Sequence, residues 1–336
     1  MKALAYEKAH ALDAFAITLA EVAEPRLRDG DLLIEVRAIG INPGEAAIRQ
    51  TRSAEPGGRV ILGWEFAGVI AAAGPAATGF AVGDRVMGTG DFTRDGSWAE
   101  RVAVDHRVVA KIPDRLAFAD AASLPIGVLT AWESLFRDQD ALLPGVGRVL
   151  VVGGAGGVGS MATQLLKATT PAFVISTASR PESRKWATAM GADLVVDHRG
   201  DLAGQLHTAG IDHVDLVFST SGTSGHLKAI VEVLRPFGHL ASIDLTGPFD
   251  PRAFTGKSLS LHSEMVFSKI VASGDVGSQG RILARAADDV AAGRLRPIVT
   301  TTLEGLTAES MKTAHALAES GRTIGKTVIQ VTGRSR

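Results

Sequence analysis

The chain contains no cysteine. That excludes disulfides, a thiol nucleophile and any thiolate-ligated zinc. Tyrosine occurs once, at Tyr6, which argues against a tyrosine acid in catalysis. The nine histidines never stand three or four residues apart, the helical spacing that brings two onto one metal. No metal site is expected, and most of the histidines read as surface or loop residues. The net charge of −1 offers nothing to attract nucleic acid or a membrane surface. No apolar run approaches the ~18 residues of a transmembrane helix. The opening segment, MKALAYEKAH, lacks the apolar core of a signal peptide and reads as a first strand. A cytoplasmic location is the default expectation.

What is present describes a folded protein of about two domains, with 336 residues and a hydrophobic fraction of 46%. Residues 1–123 read as β-rich. Apolar runs such as Leu32 to Ala38 and Glu65 to Ala73 are punctuated by turns at Pro43-Gly44, Pro56-Gly57-Gly58, Gly74-Pro75 and Gly83-Asp84. From about residue 124, strands alternate with helices. The strands are expected at Arg148–Val152, Phe173–Thr177, Asp193–Val196, Asp215–Ser219, His239–Ile243 and Ser258–Phe267. Helices are expected at Gly157–Thr169, Pro181–Met190 and Gly225–Leu234. Alternation of this kind implies an α/β fold with a parallel sheet, helices on both faces, and ligands at the carboxyl ends of the strands. The tail adds a helix over Gly280–Ala292, a strand over Ile298–Leu303, a helix over Ala308–Glu319 and a last strand over Lys326–Val331.

The most telling stretch is Val151-Val152-Gly153-Gly154-Ala155-Gly156-Gly157-Val158-Gly159. It follows a short apolar strand. It opens a helix whose apolar face is Val158, Met161, Ala162, Leu165 and Leu166. Gly154, Gly156 and Gly159 spell G-x-G-x-x-G, which allows a tight turn, a close approach of pyrophosphate and close helix–sheet packing. The helix N-terminus supplies free N–H groups and partial positive charge to a phosphate. Gly154, Ala155, Gly156, Gly157, Val158 and Gly159 are therefore expected to bind a dinucleotide. The competing reading is a glycine-rich structural turn.

NAD-preferring folds of this kind carry an acid at the end of the second strand. Here that strand runs into Thr177-Ala178-Ser179-Arg180-Pro181-Glu182-Ser183-Arg184, with no acid at Thr177 or Ala178. Ser179 offers a hydroxyl. Arg180 and Arg184, four apart, point the same way on a helix that starts near Arg180. Two guanidinium groups suit a 2′-phosphate, so NADPH is the expected cofactor. Ser179 with Glu182 also fits a capping box, and the arginines also fit a solvated helix start. Both pairs of roles stay open.

Taken along the whole chain, these motifs resemble the medium-chain dehydrogenase/reductase superfamily. The resemblance rests on Gly63-Trp64-Glu65-Phe66-Ala67-Gly68-Val69, on Leu124-Pro125 through Thr130-Ala131-Trp132-Glu133, and on the glycine turn. It extends to Gly191-Ala192-Asp193 and Ile324-Gly325-Lys326. It implies a GroES-like β-rich catalytic domain over 1–123 and 269–336, and a Rossmann domain over 124–268. Zinc alcohol dehydrogenases of the superfamily place a histidine where Trp64 stands and a cysteine in the Asn42 region, so two usual ligands are missing. Asn42-Pro43-Gly44-Glu45-Ala46-Ala47-Ile48-Arg49 instead looks like the corresponding segment of quinone oxidoreductases and ζ-crystallin-like proteins. The nearest likeness is to the subgroup labelled zinc-type alcohol dehydrogenase-like, here without its zinc set.

The resemblance implies a zinc-independent, NADPH-dependent reduction of quinones or α,β-unsaturated carbonyls, with a small carbonyl as the partner and a homodimer as the assembly. It places Asn42 and Thr130 beside the reacting carbonyl. Asn42-Pro43 also reads as a plain turn, and Thr130 as a helix residue bonded back to a carbonyl. Glu45 and Arg49, four apart, line the pocket or pair with each other, the pair being the safer reading. Trp64, Phe92, Trp132 and Phe267 are candidate pocket walls, though each also fits a core. Ser219 and Ile243, which end their strands, and Lys326 complete the expected cofactor contacts. An alcohol or aldehyde dehydrogenase and a low-turnover NADPH-binding protein remain as alternatives.

Overall fold

The computed structural model describes residues 1–137, 140–272 and 275–331. The chain divides into two compact units. One is Met1–Ile126 together with the chain from Phe267 onward, and the other is Gly127–Val266. The breaks read from the sequence, after 123 and after 268, lie three and two residues from these.

In the first unit, β1 (Lys2–Ala5) and β2 (Thr18–Glu21) form an antiparallel pair. There follow β3 (Asp31–Gly40), α1 (Pro43–Thr51), β4 (Glu65–Ala73), β5 (Arg85–Thr89), β6 (Arg101–Asp105), β7 (Val109–Lys111) and α2 (Phe118–Ala122). Glycine and proline turns separate the strands, as their fixed or permissive backbone angles require. Along β3, Leu32, Ile34 and Val36 are buried while the residues between them are partly open, the period of two that a half-covered strand needs. α1 begins with Pro43 at its first turn, and the Glu45 carboxylate accepts the Asn42 backbone N–H at 2.8 Å. A donor that a helix start leaves orphaned is thereby satisfied.

α3 (Pro125–Leu135) leads into the second unit. This unit contains β8 (Arg148–Val152), α4 (Gly157–Thr169), β9 (Phe173–Thr177), α5 (Pro181–Ala189), β10 (Leu194–Val196), α6 (Leu202–Thr208), β11 (Val214–Ser219), α7 (Thr223–Val233), β12 (Leu234–Ser242) and β13 (Ser260–Ser263). The six strands form one parallel sheet in the order β10-β9-β8-β11-β12-β13. The order reverses between β8 and β11, so the turn after β8 sits at the switch point where open α/β sheets bind ligands. The strands match the sequence expectation closely, except that β12 starts earlier and β13 is shorter. α6, which the sequence reading omits, is capped by Asp201 accepting from the Gly204 N–H. Its seven residues are too few to show a periodic face.

The chain then adds α8 (Ser268–Val271), α9 (Gly277–Ala291), β14 (Val299–Glu304), α10 (Ala308–Glu319) and β15 (Lys326–Gln330) to the first unit. β15 joins β3 antiparallel, completing a seven-stranded sheet in the order β14-β15-β3-β4-β5-β7, with β6 paired to β3. Each unit has its own apolar core. Leu32, Ile34, Phe66, Trp98 and Ile329 lie in the first; Leu150, Ile175, Val217 and Leu240 lie in the second. Among the described residues, no helix is long and apolar enough to cross a membrane.

Candidate functional site

The glycine turn of the second unit runs from Val152 at the end of β8 to the first residue of α4. Gly153 holds φ at +79°, a region closed to most side chains. Its N–H donates to Thr177 Oγ1 at 3.0 Å, and the Gly154 N–H donates to the Thr177 carbonyl at 3.2 Å, tying the turn to the end of β9. The three motif glycines differ in what demands them. A Cβ on Gly159 would lie 2.3 Å from the Gly153 carbonyl oxygen, and one on Gly154 would lie 2.6 Å from Ser176. Packing within the protein therefore requires both. A Cβ on Gly156 would meet only the Gly153 oxygen, at 3.5 Å. Nothing in the chain forbids a side chain there, so the open space fits a ligand that lies against the backbone. Gly156 is also the N-cap of α4 and makes no side-chain cap, so the first N–H groups of the helix point free at that space. The sharp bend falls on Gly153 rather than on Gly154 as the motif suggested.

The structure separates the residues expected at the far end of the nucleotide. α5 starts at Pro181, and its N-cap is Arg180, with the Arg180 N–H donating to Ser183 Oγ at 3.1 Å. The Ser179–Glu182 capping box does not form, because the cap falls one residue later. Arg184 is turned inward. Its guanidinium donates to the Ala178 carbonyl at 3.2 Å and to the Val195 carbonyl at 2.8 Å. β10 is an edge strand, and Arg184 satisfies a backbone acceptor there, so it is withdrawn as a phosphate ligand. Arg199, which sequence reasoning missed, donates to the Ser179 carbonyl at 2.9 Å and holds Asp197 through its Nε and Nη2. Its hydrogen bonds pull the Asp197 carboxyl down to about 2. Ser219 is fully buried and accepts from Thr223 Oγ1 at 2.8 Å. Its hydroxyl is thus occupied, and only its backbone lies at the strand end with Ile243, whose N–H donates to the Ser219 carbonyl. Thr130 lies nearly buried on α3. Trp132 is packed on Phe136 and donates to Asp140 at 3.1 Å, which makes it a core residue rather than an exposed wall.

The first unit assembles a second set. Asn42, Glu45, Glu65 and Lys326 are all buried and lie together. Asn42 Nδ2 donates to Glu65 Oε1 at 2.9 Å, and Lys326 Nζ donates to Asn42 Oδ1 at 2.8 Å and to Glu65 Oε1. Glu65 Oε2 accepts the Ile126 N–H at 2.9 Å. The Asn42 amide is thus oriented at both ends, and one of its two N–H groups stays uncommitted. Lys326 was expected at the cofactor, but its ammonium is spent on this buried ion pair. Glu45 accepts two backbone N–H bonds, from Asn42 and from Trp64, each at 2.8 Å. It makes no pair with Arg49, which is fully buried and bound to Glu319 at 2.7 Å. Arg49 is therefore a buried structural residue rather than a pocket wall. Trp64, Phe267 and Phe92 do come together, with ring centroids 5.2 Å and 5.3 Å apart in sequence of contact.

Burial pushes the Glu45 carboxyl up to about 8, against the pull of its two N–H donors. A group raised in the folded state binds its proton more tightly there than in the unfolded chain. Its contribution to stability is therefore complete below the ordinary carboxylate range and is lost as pH rises through about 8. The melting temperature of the wild type minus that of Glu45→Gln is expected to fall between about pH 5 and pH 8. A difference constant with pH would contradict the assignment.

A mononucleotide-binding switch point in one unit, and a polar cluster beside an aromatic wall in a GroES-like β unit, define a dinucleotide-dependent oxidoreductase. The family models agree. An alcohol dehydrogenase GroES-like domain matches residues 28–114, and a zinc-binding dehydrogenase domain matches residues 190–329. A zinc-type alcohol dehydrogenase-like protein of Staphylococcus aureus is 33% identical over 98% of this chain and all of its own length. The chloroplastic NADPH-dependent alkenal/one oxidoreductase of Arabidopsis thaliana is 29% identical, over 89% of this chain and 72% of its own. A crystal structure of a protein from Rhizobium etli described as a zinc-dependent alcohol dehydrogenase superposes with a TM-score of 0.95 at 37% identity, covering 99% of this chain and 98% of the other. The chain belongs to the medium-chain dehydrogenase/reductase superfamily. It is an oxidoreductase, and its cofactor is a nicotinamide dinucleotide.

Zinc, which the name of that dehydrogenase domain implies, finds in this cluster no donors other than the Glu45 and Glu65 carboxylates. Glu65 already holds the Lys326 ammonium where a second cation would be repelled, and Trp64 and Asn42 are not zinc donors. Among the described residues, no three His, Cys, Asp or Glu side chains gather as metal ligands would.

Proposed function

We propose that this protein reduces quinones or α,β-unsaturated carbonyl compounds with NADPH and without a metal. The observation that carries this reading is the Asn42–Glu65–Lys326 cluster, in which an ion pair orients an amide in the region where the zinc enzymes of the superfamily carry a cysteine ligand. Simple alcohol oxidation needs the hydroxyl proton acidified, commonly by a metal. Conjugate reduction needs only a donor for the charge that develops on the carbonyl oxygen. A nicotinamide carrier, when bound, would supply the hydride that such a reduction needs. The free N–H of Asn42 is the donor to the carbonyl oxygen, and solvent supplies the proton that completes the product. Glu65 and Lys326 hold that amide in one orientation, so it need not reorganise as charge develops. Trp64, Phe92 and Phe267 offer flat apolar faces to a planar conjugated substrate.

Preference for the phosphorylated carrier rests on Ser179, Arg180 and Arg199 around the end of β9. The acid beside them, Asp197, is engaged by Arg199 rather than free for a ribose diol. The relative described as NADPH-dependent supports the same choice. Purified protein is expected to oxidise NADPH steadily with 9,10-phenanthrenequinone or a short enone, at a rate unchanged by a strong chelator. Loss of activity restored by zinc would overturn the metal-free reading. Ala178→Asp combined with Arg180→Ala and Arg199→Ala is expected to lower the NADPH-over-NADH ratio of kcat/KM by at least about tenfold, the loss of one or more charge-assisted contacts. An unchanged ratio would sink the assignment.

A further inference from the structure

Gly44 stands in the first turn of α1, and its backbone does not ask for glycine. It lies within the helix and takes no left-handed φ. Glycine is a poor helix former, so another residue would serve the helix better. What excludes a side chain there is an aromatic ring. A Cβ on Gly44 would stand 2.8 Å from Trp64 Cζ3 and 3.3 Å from Trp64 Cη2. Ordinary carbon contact is about 3.5–4.0 Å. The benzo edge of the indole thus lies directly on the α1 backbone, in a seat that only glycine provides.

The Trp64 main chain has no freedom to withdraw. Its N–H donates to Glu45 Oε1 at 2.8 Å, and its carbonyl accepts the Gly90 N–H at 2.7 Å. Gly63, just before it, holds φ at +115° and lies so close to the neighbouring chain that a Cβ would stand 2.6 Å from the Ser97 nitrogen. Glu45 is fully buried and also accepts the Asn42 N–H at 2.8 Å. One carboxylate therefore fixes the main chain of the amide donor and that of the aromatic wall relative to each other. Glu65, next to Trp64, takes the Asn42 side-chain N–H at 2.9 Å and completes that register. The ring, by contrast, can turn. Trp64 is only half-buried. It meets the Phe267 ring edge-on at 5.2 Å, and Phe267 meets Phe92 at 5.3 Å. A methyl group at position 44 is therefore relieved by rotation of the indole away from α1, not by movement of the main chain.

We propose that Gly44 is a specificity-determining position that acts through Trp64. The missing side chain lets the indole lie back against α1, and the room this leaves beside the Asn42 amide admits broad, fused-ring quinones in preference to short enones. The assignment rests on the reductase reading above and names the substrate class within it. The test compares kcat/KM with NADPH for 9,10-phenanthrenequinone and for but-3-en-2-one. Gly44→Ala is expected to lower the quinone-over-enone ratio by at least about tenfold, the effect of one misplaced methyl group in a close-fitting pocket. In a Trp64→Leu background the same substitution is expected to change the ratio by less than about threefold, because leucine lacks the outer ring atoms that meet the methyl group. A role in packing alone would not be relieved in this way. Gly44→Ala is also expected to melt close to the wild type, since alanine suits the helix. An unchanged ratio in Gly44→Ala, an equal fall in the Trp64→Leu background, or a Gly44→Ala protein that no longer folds would make the contact a matter of packing and overturn the proposal. A wild type that reduces neither compound would instead remove the reductase reading, and the proposal with it.

Discussion

Replacing Gly156 by valine is expected to weaken NADPH binding by at least about a hundredfold while leaving the apo fold in place. The two effects separate because of what surrounds that position. A Cβ there meets only a single backbone oxygen, at 3.5 Å, and the backbone sits at φ −75°, ψ 175°, which valine adopts freely. The cost to the fold is that of a poorer N-cap, about 1 kcal/mol. The branched side chain, however, projects into the open space beside the first N–H groups of α4, where a dinucleotide's pyrophosphate is expected to lie. Gly159→Ala is the contrasting case. Its methyl would sit 2.3 Å from the Gly153 oxygen, so the turn must open, and loss of stability should precede any selective loss of binding. Titration of NADPH fluorescence alongside thermal melting reads both. A Gly156→Val protein that binds normally would refute the nucleotide assignment.

Lys326→Met is expected to be the most damaging single change in the first unit. It strips the counter-charge from Glu65, which is fully buried. Breaking a buried pair from one side costs about 3–5 kcal/mol, because a charge is left in low dielectric without compensation. It also removes the donor to Asn42 Oδ1, so the amide is free to turn, and misplacement of that order lowers kcat by up to about a hundredfold. Lys326→Met with Glu65→Met tests the two effects separately. Removing both charges should recover most of the lost stability, since paired burial is often no better than apolar packing. It should not recover kcat, because nothing then orients Asn42. Recovery of both would reduce the cluster to a packing device, and loss of neither in the single variant would remove it from the mechanism. Denaturant melts and steady-state kinetics on the two proteins decide.

Much of the second unit was legible in the chain because its signals are local. A buried strand, three glycines and an apolar helical face lie within twenty residues of one another, and the structure puts α4 over the residues that the periodicity marked, Gly157–Thr169. The end of β9 was harder. Arg180 and Arg184 share a helix face by spacing, yet Arg184 faces the backbone of an edge strand, and the guanidinium that reaches the end of β9 is that of Arg199, beyond β10. Spacing along a helix does not reveal which acceptors the neighbouring strand leaves open. Glu45 and Arg49 failed for a similar reason. Four residues apart, they look like partners, but tertiary packing gave Glu45 two backbone donors and gave Arg49 a carboxylate 270 positions away.

The sequence by itself determined the strands of the second unit with the helices α4, α5 and α7 between them, the place of the glycine turn and the lack of thiolate ligands, since each depends on residue type and short-range period. Only the tertiary structure decided that Asn42, Glu65 and Lys326 form one buried charged cluster, that Arg184 is structural, and that Arg49 is buried against Glu319. Burial and charge pairing are properties of surfaces brought together from distant segments. A side chain's chemistry there depends on neighbours that the linear order of residues does not name.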